Sequence, residues 1–163
     1  MRMISLAEER PEDWWEIEAL LDLCFAPGRE MLSSYRLREG VAPVTALCLT
    51  ARDAGGTLVG ALRNWPVQVA GRAVLLLGPV AVHPTHQGEG VGAFLMHEAI
   101  ARAAALGQER IMLVGDLPYY QRFGFSRLDG VEMPPPTNPE RVLGIALQDG
   151  AWDDVRGRVE KAG

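Results

Sequence analysis

Val80-Ala-Val-His-Pro-Thr-His-Gln-Gly-Glu-Gly-Val-Gly-Ala-Phe-Leu-Met96 is the stretch from which the rest of the chain can be read. An apolar run from Leu75 to Val82 enters it as a strand, and His83-Pro84 closes that strand because proline cannot donate to a ladder. Glycines at alternate positions follow, Gly88, Gly90 and Gly92, and a helical pattern begins directly after them. A strand, a glycine-rich turn and a helix start form a device suited to a phosphate. The first helical N–H groups lack partners, the macrodipole favours negative charge, and glycine lets the main chain come close. The glycines alone also fit an ordinary strand-to-helix turn.

The spacing Gly88-x-Gly90-x-Gly92 is not the G-x-G-x-x-G of a dinucleotide fold, and no Gly-Lys-Ser/Thr of a nucleoside triphosphate loop follows. Gln87-Gly88-Glu89-Gly90-Val91-Gly92 does resemble the Gln/Arg-x-x-Gly-x-Gly/Ala loop of the GCN5-related N-acetyltransferases. Val80-Ala-Val-His-Pro84 resembles that family's fourth strand, and Tyr119-Tyr-Gln-Arg-Phe-Gly-Phe125 its Tyr-x-x-x-Gly-Phe segment. The likeness is good from Leu47 to Phe125, and the tyrosine segment is similar to a broad bacterial branch of the family.

The resemblance implies an α/β (α+β) fold, with a mixed sheet of six to seven strands, splayed at the fourth and flanked by about four helices. It implies acetyl-CoA as co-substrate, its pantetheine beside Val80, Ala81 and Val82 and its pyrophosphate on Gln87, Gly88, Glu89, Gly90, Val91, Gly92 and Ala93. Tyr120, four residues before Gly124, takes the position of the general acid that protonates the CoA sulfur. Without the resemblance, Tyr120 reads as a packed aromatic. The reaction implied is direct acetyl transfer to an amine, small or peptidic, with a non-catalytic acyl-CoA-binding or sensor domain as the alternative. Leu75-Leu-Leu-Gly78 carries no carboxylate, so a strand-borne glutamate base cannot be carried over; Asp116, His83, His86 and a water relay remain.

Outward from this stretch, a helix is expected from Gly90 to Leu106, burying Leu95, Met96, Ala99, Ala103 and Leu106 and exposing His97. Gly107 stops it and Arg110–Val114 is the next strand, parallel to the first through the crossover. Asp116 is placed to cap a short helix opened by Pro118 and ended by Gly124. Gly78-Pro79 breaks the ladder of the central strand, as a bulge or a splay.

On the N-terminal side, Met3–Leu6 reads as a short strand, and Arg10-Pro-Glu-Asp13 opens a helix burying Trp14, Ile17, Leu20, Leu21, Cys24 and Phe25. A second helix is expected over 30–39, with Met31, Leu32 and Tyr35 packing and Glu30 and Tyr35 as minor acceptor-site candidates by resemblance. Thr45–Arg52 and Thr57–Asn64 read as a hairpin about Asp53-Ala-Gly-Gly56, with Pro66 interrupting the return strand. Arg141–Leu147 is a last strand, and a polar tail, helical from Trp152, ends the chain.

The 163 residues fit one domain spanning 1–163, with 48% hydrophobic and 23% charged residues. A net charge of −5 argues against nucleic acid, and no apolar run is long enough for a membrane. The acidic start excludes a signal-peptide core, so a cytoplasmic protein with Cys24 and Cys48 reduced is expected. His83, His86 and His97 lack ligand-spaced partners, so no metal is expected. The expected partners are acetyl-CoA and an amine acceptor, with homodimerisation left open.

Overall fold

The computed structural model describes residues 3–25 and 33–162. In chain order the elements are β1 (Ser5–Glu8), α1 (Trp14–Cys24), α2 (Ser33–Arg36), β2 (Leu49–Arg52), β3 (Leu58–Val69), β4 (Arg72–Val82), α3 (Val91–Ala105), β5 (Arg110–Val114), α4 (Leu117–Tyr120), β6 (Ser126–Arg127), β7 (Val131–Glu132), β8 (Val142–Ala146) and β9 (Gly157–Lys161). The sheet runs β1-β2-β3-β4-β5-β8-β6, with β9 added to β3 and β7 to β9. Its inner pairings are antiparallel except β4 with β5, the parallel pair that α3 bridges. The expected mixed sheet is present, and the short β6, β7 and β9 bring the described strands to nine.

The two long helices cover opposite faces of this sheet. Consecutive residues on β3 point opposite ways, and Ala61 packs with Ile17, Leu20 and Leu21 of α1 while Leu62 packs with Val91, Leu95 and Met96 of α3. Gly60 is what lets α3 sit so low. A Cβ there would meet Leu95 Cδ1 and Val91 Cγ1, each at 3.0 Å. The face of α3 follows its sequence pattern through Ala103, but Leu106 falls past the helix end and is exposed. His97 is exposed, its ring edge-on to Phe123.

Several local expectations are corrected. Thr45–Leu47 forms a 3-10 turn, and β2 starts only at Leu49. Pro66 does not interrupt β3, because it falls between the end of the β2 pairing at Leu62 and the start of the β9 pairing at Val67. No N–H is needed there. Trp14 stays exposed, since the helix proper begins at that residue, after a 3-10 turn over Pro11–Asp13. The tail is no helix; Gly157–Lys161 is a strand whose Val159–Lys161 pairs with Val67–Val69. Glu30, Met31 and Leu32 lie outside the described residues. No helix among the described residues is long and apolar enough to cross a membrane.

Candidate functional site

β4 is one strand with two environments. Leu75 and Leu76 pair with β3 on one side and with Ile111 and Met112 of β5 on the other. The β5 pairing stops there, although Leu113 and Val114 continue along β8. The register against β3 then slips, Asn64 facing Leu77 but Leu62 facing Val80, and Gly78 absorbs the slip at a φ of +141°. The break expected at Gly78-Pro79 is therefore a bulge and a splay together.

Beyond the bulge, Val80–Val82 pair with β3 alone. His83 N–H donates to Val59 C=O at 2.8 Å, which sets the phase of the strand. Alternation turns the backbone of Ala81 toward β3 and that of Val80 and Val82 into the gap opened by β5. Val82 C=O accepts from the Cys24 thiol at 3.3 Å and from Gln87 Nε2 at 3.4 Å.

The gap leads to the glycine turn. Gly88 and Gly90 both hold φ of +83°, a region other residues enter only with strain. Phe94 N–H makes the first intrahelical bond, to Gly90 C=O, so the N–H groups of Val91, Gly92 and Ala93 precede the ladder of α3. The loop is exposed from Gln87 to Gly90. A Cβ on Gly92 would lie 3.4 Å from Tyr119 Oη and 3.5 Å from Val82 Cγ2, so the helix start, the outer half of β4 and α4 converge on this residue.

The turn before the glycines is pinned by its own side chains. Thr85 N–H donates to His83 Nδ1 at 3.2 Å, and Thr85 Oγ1 lies 2.8 Å from His83 Nδ1 and 2.9 Å from His86 Nδ1. Neither histidine lines the cavity described next, so their placement is that of turn fasteners.

A cavity of about 330 Å³ occupies the splay. Its walls are the bulged end of β4, the Leu113–Asp116 end of β5, and Tyr119 and Tyr120, with Phe25, Tyr35 and Arg38 closing one side. The two tyrosine rings meet edge to face at 4.9 Å. Tyr120 lies against Gly115, where a Cβ would collide with its ring. Burial, then Tyr119 and Asp116 nearby, pushes the Tyr120 phenol above its ordinary pKa, so it stays protonated at neutral pH. Arg38 stacks over Tyr35 at 4.2 Å and faces Trp65 at 5.3 Å.

Asp116 stands at the N-cap position of α4, yet its carboxylate does not cap. It pairs with Arg141 Nη1 at 2.6 Å, while its carbonyl accepts from Tyr119 and Tyr120 N–H. It is the one carboxylate among the described lining residues. Phe25, Arg38 and Arg141 carry no motif that marks them. Topology alone brings them to the cavity. Among the described residues no cluster fit for a metal occurs.

Comparison with known proteins agrees with this architecture. The model of the acetyltransferase (GNAT) family matches residues 14–125. The uncharacterized N-acetyltransferase YhbS of Escherichia coli strain K12 is 32% identical over 119 residues, covering 72% of this chain and 70% of that protein. The crystal structure of Escherichia coli YhbS in complex with CoA is similar with a TM-score of 0.85 at 27% identity, over 99% of this chain and 91% of that one. A GNAT family acetyltransferase from Brucella melitensis, in complex with acetyl-CoA, gives a TM-score of 0.76 at 27% identity, over 100% of this chain and 98% of that one.

Proposed function

Since the chain belongs to the acetyltransferase (GNAT) family, we propose that it moves an acetyl group from acetyl-CoA directly to an amine acceptor. The observation that carries this reading is the open outer half of β4 leading into the start of α3. Pantetheine amides would add to Val80 and Val82 as an extra strand would. Ala81, paired with Ala61, holds that edge in place. The N–H groups of Val91, Gly92 and Ala93 would receive the pyrophosphate, with Gln87–Gly90 as the rim and glycine at two of its four positions.

In this reading the neutral amine attacks the thioester carbonyl, the C–S bond breaks, and the CoA thiolate takes a proton from Tyr120. The proton lost by the attacking nitrogen leaves by water, with Asp116 the carboxylate at hand. Backbone N–H groups at the open edge polarise the carbonyl. The chain would act as one domain.

The test is acetyl-CoA binding followed by thermal shift, with release of free CoA measured against an amine panel. A raised midpoint with amine-dependent CoA release is expected. Binding without release on any amine replaces the reading by a non-catalytic acyl-CoA sensor. No binding removes both.

A further inference from the structure

Resting on the acetyl-CoA reading, we infer that Arg122 binds the 3′-phosphate of the CoA ribose, so that the protein discriminates CoA from dephospho-CoA. Arg122 is held against Tyr119. Its Nε donates to Tyr119 C=O at 2.8 Å, and its guanidinium carbon stands 4.5 Å from the centre of the Tyr119 ring. The hydroxyl of that same ring abuts the first turn of α3 at Gly92. The cation thus sits one tyrosine ring beyond the N–H groups assigned to the pyrophosphate. A nucleotide whose pyrophosphate met those N–H groups and whose adenosine end ran over the Tyr119 ring would bring its ribose phosphate to this cation.

The surroundings fit a second anion. An open cavity of about 800 Å³ adjoins Tyr119 and is lined by Arg122, Arg127 and Arg141 against Asp116 and Glu140. Arg141 is paired with Asp116, which leaves Arg122 and Arg127 facing Glu140, a positive excess in a chain of net charge −5. Arg122 keeps both Nη groups for a ligand, since its bond to Tyr119 uses Nε, and stacking fixes the guanidinium plane. A phosphate monoester carries close to two charges at neutral pH and suits the fork of a guanidinium. Pre-orientation on a ring lowers the entropy lost when it binds.

Calorimetry with CoA and with dephospho-CoA, on wild type, Arg122→Gln and Arg122→Lys, tests the assignment. Dephospho-CoA keeps the pyrophosphate and lacks only the ribose phosphate, so the pair isolates one group. Wild type should bind CoA about tenfold more tightly, as a charge-assisted hydrogen bond warrants. Added salt should narrow that gap. Arg122→Gln should erase the preference by weakening CoA alone, and Arg122→Lys should retain part of it. Equal affinity of wild type for the two nucleotides overturns the inference while leaving the acetyl-CoA reading intact. So does Arg122→Gln weakening both nucleotides alike, which would place the arginine on the pyrophosphate or in the fold. Failure of wild type to bind either nucleotide overturns the acetyl-CoA reading and the inference together.

Discussion

The two halves of β4 differ in what their backbone lacks. Leu75 and Leu76 lie between β3 and β5, and the run Val74, Leu75, Leu76 and Leu77 is buried in the core. Val80–Val82 has the same apolar character, but only β3 beside it. Residues of similar chemistry are thus enclosed by the sheet or left with an open edge according to whether β5 stays paired with them. Gly78 and the register slip decide which. Stability should reside in the inner half and ligand affinity in the outer half, and substitutions can separate the two.

The largest effect is expected on the outer side. Tyr120→Phe removes one hydroxyl and keeps the ring that packs against Gly115 and Phe125. General acid catalysis contributes about 10²–10⁴-fold, so single-turnover kcat should fall by that range with acetyl-CoA affinity little changed. Tyr119→Phe is the matched control. Its hydroxyl meets Gly92, so its loss should appear in acetyl-CoA affinity and leave kcat within a few-fold. A full rate for Tyr120→Phe would make that tyrosine structural.

Next comes the inner half. Leu75 is 1% exposed and pairs with Ile111 across the closed parallel ladder. Leu75→Ala should cost about 2–5 kcal/mol of stability by denaturant unfolding, while the folded fraction binds acetyl-CoA as wild type does. A matching loss of affinity would mean that the halves are not separable.

Gly92→Glu attacks the outer half from the loop. Gly90 is a poorer target, since its φ of +83° would strain any side chain. Gly92 is helical, and its Cβ position has ordinary contacts at 3.4 Å and 3.5 Å. The added carboxylate would repel a pyrophosphate with little damage to the fold. At a hundredfold excess over Kd, a ligand that binds only the native state stabilises it by about 2.7 kcal/mol. That increment should vanish in Gly92→Glu. An undiminished shift would place the pyrophosphate elsewhere.

The same division explains what was legible in the sequence. The strand, loop, helix and parallel strand from Leu75 to Val114 could be read because each boundary is marked locally, by Pro84, by the glycines and by Gly107. The splay could be read from Gly78-Pro79. By contrast, β9 has a single buried side chain, Val159, and exists because Val67–Val69 offer an edge some ninety residues earlier. No periodicity announces so short a strand, and a polar tail reads equally as helix. Pro66 misled for a related reason, since only the pairing on both sides of β3 shows that its missing N–H costs nothing. Tyr120 and the loop are candidates that motifs nominate, whereas Arg38 and Arg141 meet the cavity only through tertiary structure. Asp116 occupies a cap position, but the carboxylate found a stronger partner in Arg141, which comes from the far side of the chain.

The smallest effect compares the two cysteines, each of which reports on one half of β4. The Cys48 thiol donates to Val44 C=O at 3.3 Å and lies 3.8 Å from the carbonyl of Asn64, the residue that faces Leu77 on the closed half. Burial pushes its pKa up to about 11. The Cys24 thiol donates to Val82 C=O on the open half and is only partly buried, and burial raises its pKa as well. The thiolate is the reactive form, so both should label slowly at neutral pH and faster as pH rises. Cys24 should react first and Cys48 only with unfolding. For Cys48 the folded pKa lies above the unfolded one, so the stability tied to its protonated state is present below the ordinary thiol range and is lost as pH rises toward about 11. Saturating acetyl-CoA should slow labelling of Cys24 by a few-fold, because a ligand beside Val80 and Val82 closes the gap that this thiol borders. Cys48 should be indifferent to it at low denaturant. Labelling of Cys24 that ignores acetyl-CoA, measured by mass spectrometry over time, would show that the open edge of β4 is not where the ligand lies.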